Sequence, residues 1–107
     1  GIRTFEDHVR NTLSLATIEE IHRRSHLPIA ADPSHGSGHA HLVPALARAS
    51  VAAGADAVLI EVHPDPQHAM TDGAQSLTIE AFAEMMRMLK RVAAAVDREL
   101  AGAVAEV

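Results

Sequence analysis

The chain has no cysteine, tryptophan or tyrosine, and its only aromatic residues are Phe5 and Phe82. Without cysteine, neither a disulfide-stapled secreted scaffold nor thiolate chemistry can come from these residues. No apolar run approaches the roughly 20 residues that a membrane-spanning helix requires. Gly1-Ile2-Arg3-Thr4 lacks signal-peptide anatomy, and a chain opening on glycine is expected to begin after processing or partway through a longer protein. A basic stripe is missing too, since eight arginines and Lys90 are scattered among 14 acids for a net charge of -5. That balance, with almost no aromatic surface for stacking, argues against a nucleic-acid partner.

What remains is one small domain's worth of chain, 107 residues at 48% apolar. This is too apolar for disorder. Twenty-one of the residues are alanine, and without large aromatics each buried position fills little volume. The composition therefore predicts weak stability in isolation, or apolar faces that further protein covers. Histidine is abundant: seven of the eight lie between His22 and His68, and none in the last 39 residues.

Periodicity predicts a first helical stretch between Phe5 and Arg24, its main body following Ser14 as cap. Leu27–Ala31 is a short apolar run of the kind found in buried parallel strands. A polar loop, Asp32 to Gly38, follows. A second helix is expected from Val43, with Pro44 in its first turn, to Gly54 just past its end. Ala57–Val62 reads as a second strand, interrupted by Glu61, and His63–Gln75 as another polar loop. Thr78 then caps the longest helix, with Ile79, Phe82, Met86, Leu89, Ala93, Val96 and Leu100 as its apolar stripe. The neighbouring Met85 and Met88 read as packing residues, and Glu84 with Arg87 as an ordinary exposed pair. Helix, strand, helix, strand, helix implies parallel strands with right-handed crossovers. Two strands do not make an independent α/β sheet, so the arithmetic points to a piece of a larger one.

The chemistry gathers in the two loops that follow the strands, where parallel α/β folds bind ligands. Glu61 and His63 are two apart on an extended segment and share a face. Asp32 and His35 follow the other strand, and Asp72 is placed to fold back over the same end. A lone acid closing an apolar strand costs desolvation unless it is paired or metal-bound. An imidazole with two carboxylates suits a catalytic divalent metal, Mn, Fe, Co or Zn, acting as a Lewis acid on a carbonyl oxygen. Plainer roles stay open: His35 as a hydrogen-bonding loop residue, Asp32 as a cap, Asp72 as a turn former, and His63 as a polar residue beneath the loop or a support behind a metal ligand. A three-histidine site of His35, His39 and His41 is a further alternative.

Several segments occur in order: Gly1-Ile2-Arg3-Thr4-Phe5-Glu6, Arg10-Asn11-Thr12-Leu13, Asp32-Pro33-Ser34-His35, Ile60-Glu61-Val62-His63-Pro64-Asp65-Pro66 and Thr71-Asp72-Gly73-Ala74-Gln75-Ser76-Leu77. Together, over residues 1 to about 100, they resemble the C-terminal part of 3-deoxy-7-phosphoheptulonate (DAHP) synthase of the type I beta kind. The resemblance implies an α/β fold, the C-terminal part of a (β/α)8 TIM barrel. Two full parallel strands, a first partial one and three main helices would make up roughly its last three βα units, with residues 1–107 as a single segment of an incomplete barrel. It implies a transferase that condenses phosphoenolpyruvate with erythrose 4-phosphate in an aldol-like step, opening the shikimate pathway toward aromatic amino acids. It further implies a cytoplasmic homo-oligomer with no membrane partner.

Carried over by motif, the family's divalent metal (Mn, Co, Fe or Zn) is held by His35, Glu61, Asp72 and a cysteine. In the family that metal would polarise the aldehyde for attack by the enol carbon of phosphoenolpyruvate, and the resemblance implies the same here. Asp32 matches the acid beside the metal, a catalytic candidate for proton transfer or water activation alongside His35. Arg3 is the substrate-binding candidate at a phosphate, and His63 the support behind the metal ligands.

The cysteine ligand and a lysine-proline-arginine loop belong to the family's N-terminal half, and a phosphoenolpyruvate-contacting arginine falls just before Gly1. Gly38-His39-Ala40-His41 stands where many members carry Gly-Arg-Arg-Asp, so those arginines' role is not carried over. The segment alone is therefore expected to be inactive. Two alternatives are a 3-deoxy-octulosonate 8-phosphate synthase-like enzyme, which shares the fold but fits the Glu-Val-His-Pro and Gln-Ser-Leu segments less well, and a non-catalytic metal-binding or assembly module.

Overall fold

The computed structural model describes residues 1–102. Its elements are α1 (Ala16–Arg24), β1 (Ala30–Ala31), α2 (Pro33–Ser37), α3 (Val43–Ala52), β2 (Ala57–Val58) and α4 (Ile79–Ala95), with 3-10 turns at Ala40–Leu42, Pro66–His68 and Gly73–Gln75. No helix among the described residues is long and apolar enough to cross a membrane.

Thr78 caps α4 as predicted, its hydroxyl accepting from the Ala81 N–H at 3.1 Å. The buried line of α4 is Met85, Leu89 and Ala93, with Phe82 and Met86 flanking it. Ile79 and Val96, also members of the expected stripe, are instead 55% and 37% exposed. Leu100 lies beyond the helix end yet packs on the same core. The partners of this line are Val43, Ala47 and Val51 of α3, and Leu77. Burying a side chain such as Met85 or Leu89 contributes about 1.5–3 kcal/mol relative to exposure, so the α3–α4 contact is the main source of cohesion. A smaller cluster joins Ile18, Ala31 and Ala55.

The first helix is shorter than its pattern predicts. Residues 2–12 form a loop closed by an antiparallel bridge between Ile2 and Thr12, and Ser14 bonds the Thr17 hydroxyl at 2.8 Å rather than capping a backbone N–H. The expected first partial strand accordingly does not join the sheet. His22, Arg23 and Arg24 sit in the last turn of α1, where cations complement the helix dipole. The loop from Asp32 to Gly38 also differs from expectation: Asp32 N-caps the short helix α2, and Gly38 closes it at φ 76°.

β1 and β2 pair in parallel, with Ala30 opposite Ala57 and Ala31 opposite Val58. Both are shorter than the predicted runs Leu27–Ala31 and Ala57–Val62. The ladder extends slightly further through Ala57 N to Ile29 O and Leu59 N to Ala31 O. Alternation then sorts the side chains. Ala31, Val58 and Ile60 turn toward the helices, whereas Ala30, Ala57 and Leu59 are exposed on the other face. Glu61 follows Leu59 on that bare face. Beside β2, an apolar groove of about 410 Å³ opens between Val58, Ile60, Phe82, Met86 and Leu89.

At the amino ends of the strands, Asp56 ties four segments together. Its carboxylate accepts from the Ile29 N–H at 2.9 Å, meets His22 Nε2 at 2.7 Å and accepts from Arg98 at 3.0 Å. The Ile29 N–H, then His22 and Arg98, hold its carboxyl down to about 2.

Candidate metal centre

Asp32 performs two tasks at the start of α2. Its Oδ1 accepts from the His35 N–H at 3.0 Å, the N-cap bond that the first turn requires. Its Oδ2 lies 2.8 Å from His35 Nδ1. With the Asp32 carboxylate accepting from Nδ1–H, the opposite nitrogen, Nε2, is aimed at two further acids. Glu61 Oε1 and Asp72 Oδ2 each lie 3.6 Å from it.

Separate elements deliver those acids. Glu61 ends the extended run after β2, its N–H donating to the Ser34 hydroxyl at 3.0 Å and its carbonyl accepting from the Leu77 N–H at 2.9 Å. Val62 and Leu77 form a parallel bridge, which folds the intervening loop back over the strand ends. Asp72 stands at the tip of that return with φ 56° and ψ 22°, and its carbonyl accepts from the Ser76 hydroxyl at 2.8 Å. The next residue, Gly73, lies so close to the Pro66 carbonyl that a Cβ there would collide with it.

One donor atom from each of His35, Glu61 and Asp72 lies within 4.8 Å of the others. Their side chains are roughly half exposed, at 46%, 37% and 42%. Among the described residues no lysine or arginine pairs with Glu61 or Asp72. The hydrogen bond to Asp32 is the main cause raising the His35 pKa above its usual 6.5; the charges of Asp32, Asp72 and Glu61 add to it, against desolvation. One imidazole nitrogen and two carboxylates, open to a ligand, form a donor set suited to a divalent metal.

The other candidates stand apart from this group. His39 and His41 lie beside each other, with ring centroids 5.7 Å apart. His35, Glu61 and Asp72 form the only such metal-competent group among the described residues, so the three-histidine alternative is not assembled. His63 accepts from the Asp65 N–H through Nδ1 at 2.9 Å and thereby shapes its own turn. Arg3 is exposed and makes no hydrogen bond or ion pair among the described residues. Three residues that sequence patterns did not single out brace the site. Asn11 Nδ2 donates to the His35 carbonyl at 3.0 Å, and Ser34 and Ser76 make the bonds already given. Each acts on backbone across a loop, which leaves no spacing signal.

Known proteins match this chain. A family model described as the DAHP synthetase I family matches residues 1–98. A phospho-2-dehydro-3-deoxyheptonate aldolase of Thermotoga maritima is 48% identical over 93 residues, which cover 87% of this chain and 28% of the relative. A 2-dehydro-3-deoxyphosphooctonate aldolase of Koribacter versatilis is 42% identical over 72 residues, 65% of this chain and 26% of the relative. Among solved structures, the truncated 3-deoxy-D-arabino-heptulosonate 7-phosphate synthase of Thermotoga maritima superposes with a TM-score of 0.91 at 46% identity, covering 94% of this chain and 38% of that one. The chain thus spans between about a quarter and two fifths of these relatives. With nearly its whole length matched by the family model, the chain belongs to the DAHP synthetase I family.

Proposed function

We propose that this chain is the C-terminal segment of a metal-dependent DAHP synthase, an enzyme of the cytoplasm that condenses phosphoenolpyruvate with erythrose 4-phosphate. The convergence of His35, Glu61 and Asp72 at the carboxyl ends of two parallel strands carries this reading. These three residues would hold the divalent metal, whose chemistry is Lewis acidity toward an aldehyde carbonyl. The bare sheet face of Ala30, Ala57 and Leu59 supports placing the segment in a (β/α)8 barrel, where inward side chains meet those of other strands. The rest of that barrel is the partner this face requires, and closure of the barrel would supply the missing ligand and the phosphate sites. Assembly of complete barrels into a homo-oligomer belongs to the same proposal.

Within the site, Asp32 keeps the proton on His35 Nδ1 and so leaves the Nε2 lone pair free for coordination. It is also the candidate for exchanging a proton with the bound substrates. Glu61 and Asp72 supply negative charge that favours a cation. Arg3 is the substrate-binding candidate at a phosphate, and His63, by fixing the turn after Glu61, supports the ligand from behind.

The test is a chimera in which residues 1–98 replace the matching segment of the Thermotoga enzyme. The expected result is condensation of phosphoenolpyruvate with erythrose 4-phosphate that disappears on His35→Ala, while the 107-residue chain alone shows no turnover. A chimera that folds and binds metal but prefers another aldose phosphate would transfer the assignment to the octulosonate branch. Turnover that survives His35→Ala would overturn the metal assignment.

A further inference from the structure

We propose that the Ser34 hydroxyl is a positioning group that fixes the spacing between the imidazole of His35 and the carboxylate of Glu61. The inference rests on the metal-site reading above and assigns a role to a residue outside its ligand set. Ser34 has no exposed surface. Its Oγ accepts from the Glu61 N–H at 3.0 Å across 27 residues of sequence, and its chain neighbour is His35. The β1–β2 ladder ends below the site with the bond from Leu59 N to Ala31 O. Past that point β1 has turned into α2, so the Glu61 N–H finds no strand carbonyl on this side. Among the described residues, the Ser34 hydroxyl makes the only hydrogen bond linking residues 32–38 to residues 60–63.

Removing the hydroxyl leaves a backbone donor without its partner and frees the two ligand loops to drift apart. Ser37 provides the contrast. It is equally inaccessible, at 1% exposure, but its hydroxyl accepts nothing from Glu61 and donates to the Pro33 carbonyl within α2 at 2.8 Å. A buried serine with a merely structural role should behave like Ser37.

The experiment titrates the chain with Co²⁺, following the visible absorption spectrum and the dissociation constant, for the wild type, Ser34→Ala and Ser37→Ala. Ser34→Ala is expected to weaken binding by at least about tenfold, as loss of a group supporting a ligand does, and to change the Co²⁺ spectrum. Ser37→Ala is expected to retain both the affinity and the spectrum. Should Ser34→Ala fail to fold by circular dichroism, Ser34→Gly, which also lacks the acceptor and adds no metal ligand, is read by the same criterion. Affinity and spectrum unchanged in the Ser34 variant, or equal losses in both serine variants, would overturn the positioning role. Should the wild-type chain bind no Co²⁺ for want of the fourth ligand, the same comparison is made in the chimera; a folded chimera that binds none removes the metal-site reading, and this inference with it.

Discussion

Asp56 and Glu61 lie five residues apart along one extended run, yet they meet opposite surroundings. Asp56, at the amino end of β2, is matched by a guanidinium, an imidazole and a backbone N–H. Glu61, past the carboxyl end, shares a single imidazole with Asp72, and Asp32 holds the other side of that ring. The first acid has its complement built into the fold. The second group has three carboxylates around one ring and, among the described residues, no lysine or arginine paired with Glu61 or Asp72. The difference separates an acid whose charge is matched within the fold from acids whose charge is left largely open; the partners of Asp56 lower its pKa, and the acids around His35 raise that of the imidazole.

Exchanging the consequences would break this comparison. The largest effect is expected from His35→Ala, which should weaken Mn²⁺ or Zn²⁺ binding by at least about 100-fold, beyond the loss seen for supporting groups, as measured by calorimetric titration. Asp56→Asn should leave that affinity unchanged and instead lower Tm by roughly 5 °C or more, read by circular dichroism. A metal-binding defect in Asp56→Asn would show that the two ends are coupled.

Acid titration gives the next effect in size. Because the Asp56 carboxyl is held down to about 2, its stabilisation is present above the ordinary carboxylate value near 4 and is lost as pH falls from there through about 2. Asp56→Asn should therefore flatten the stability curve in that window. At the other end the sign reverses. The raised pKa of His35 makes its pairing with the acids complete below about 6.5 and lost as pH rises through the higher folded value. An NMR titration of the metal-free chain should show the His35 imidazole ionising above its usual range, and that displacement should shrink in Asp32→Asn. The smallest effect belongs to Glu84→Gln. It removes the exposed pair with Arg87 on α4 and should shift stability by no more than about 0.5 kcal/mol.

The sequence showed most clearly what depends on period and chemistry. Thr78, Pro44 and Gly54 mark helix ends because caps and turns demand particular residue types. Glu61 stood out because charge at the end of an apolar strand is costly, and Asp32, His35 and Asp72 because they fall in the loops that follow the strands and in the family's motifs. Segments whose conformation depends on distant contacts were less legible. The stretch from Phe5 carries helix-compatible spacing, yet the bridge between Ile2 and Thr12 takes its backbone. The polar run from Asp32 to Gly38 reads as a loop, but the Asp32 cap and the left-handed Gly38 wind it into a helical turn. Asn11, Ser34 and Ser76 lie inside the family segments, but their bracing role left no spacing signal, since each side chain bonds main-chain atoms that any residue possesses.

The left-handed backbone at Asp72 restricts which substitutions the position tolerates, apart from any role in binding. Most residues lose about 1–2 kcal/mol in that conformation, while Asn, Asp and Gly enter it readily. The position is filtered twice, by backbone shape and by charge, and aspartate is the residue that passes both. Alanine scanning there would merge the two losses into one number. Asn keeps the shape and removes only the charge, and Gly keeps the shape and removes the whole side chain, so that pair resolves what the carboxylate itself contributes.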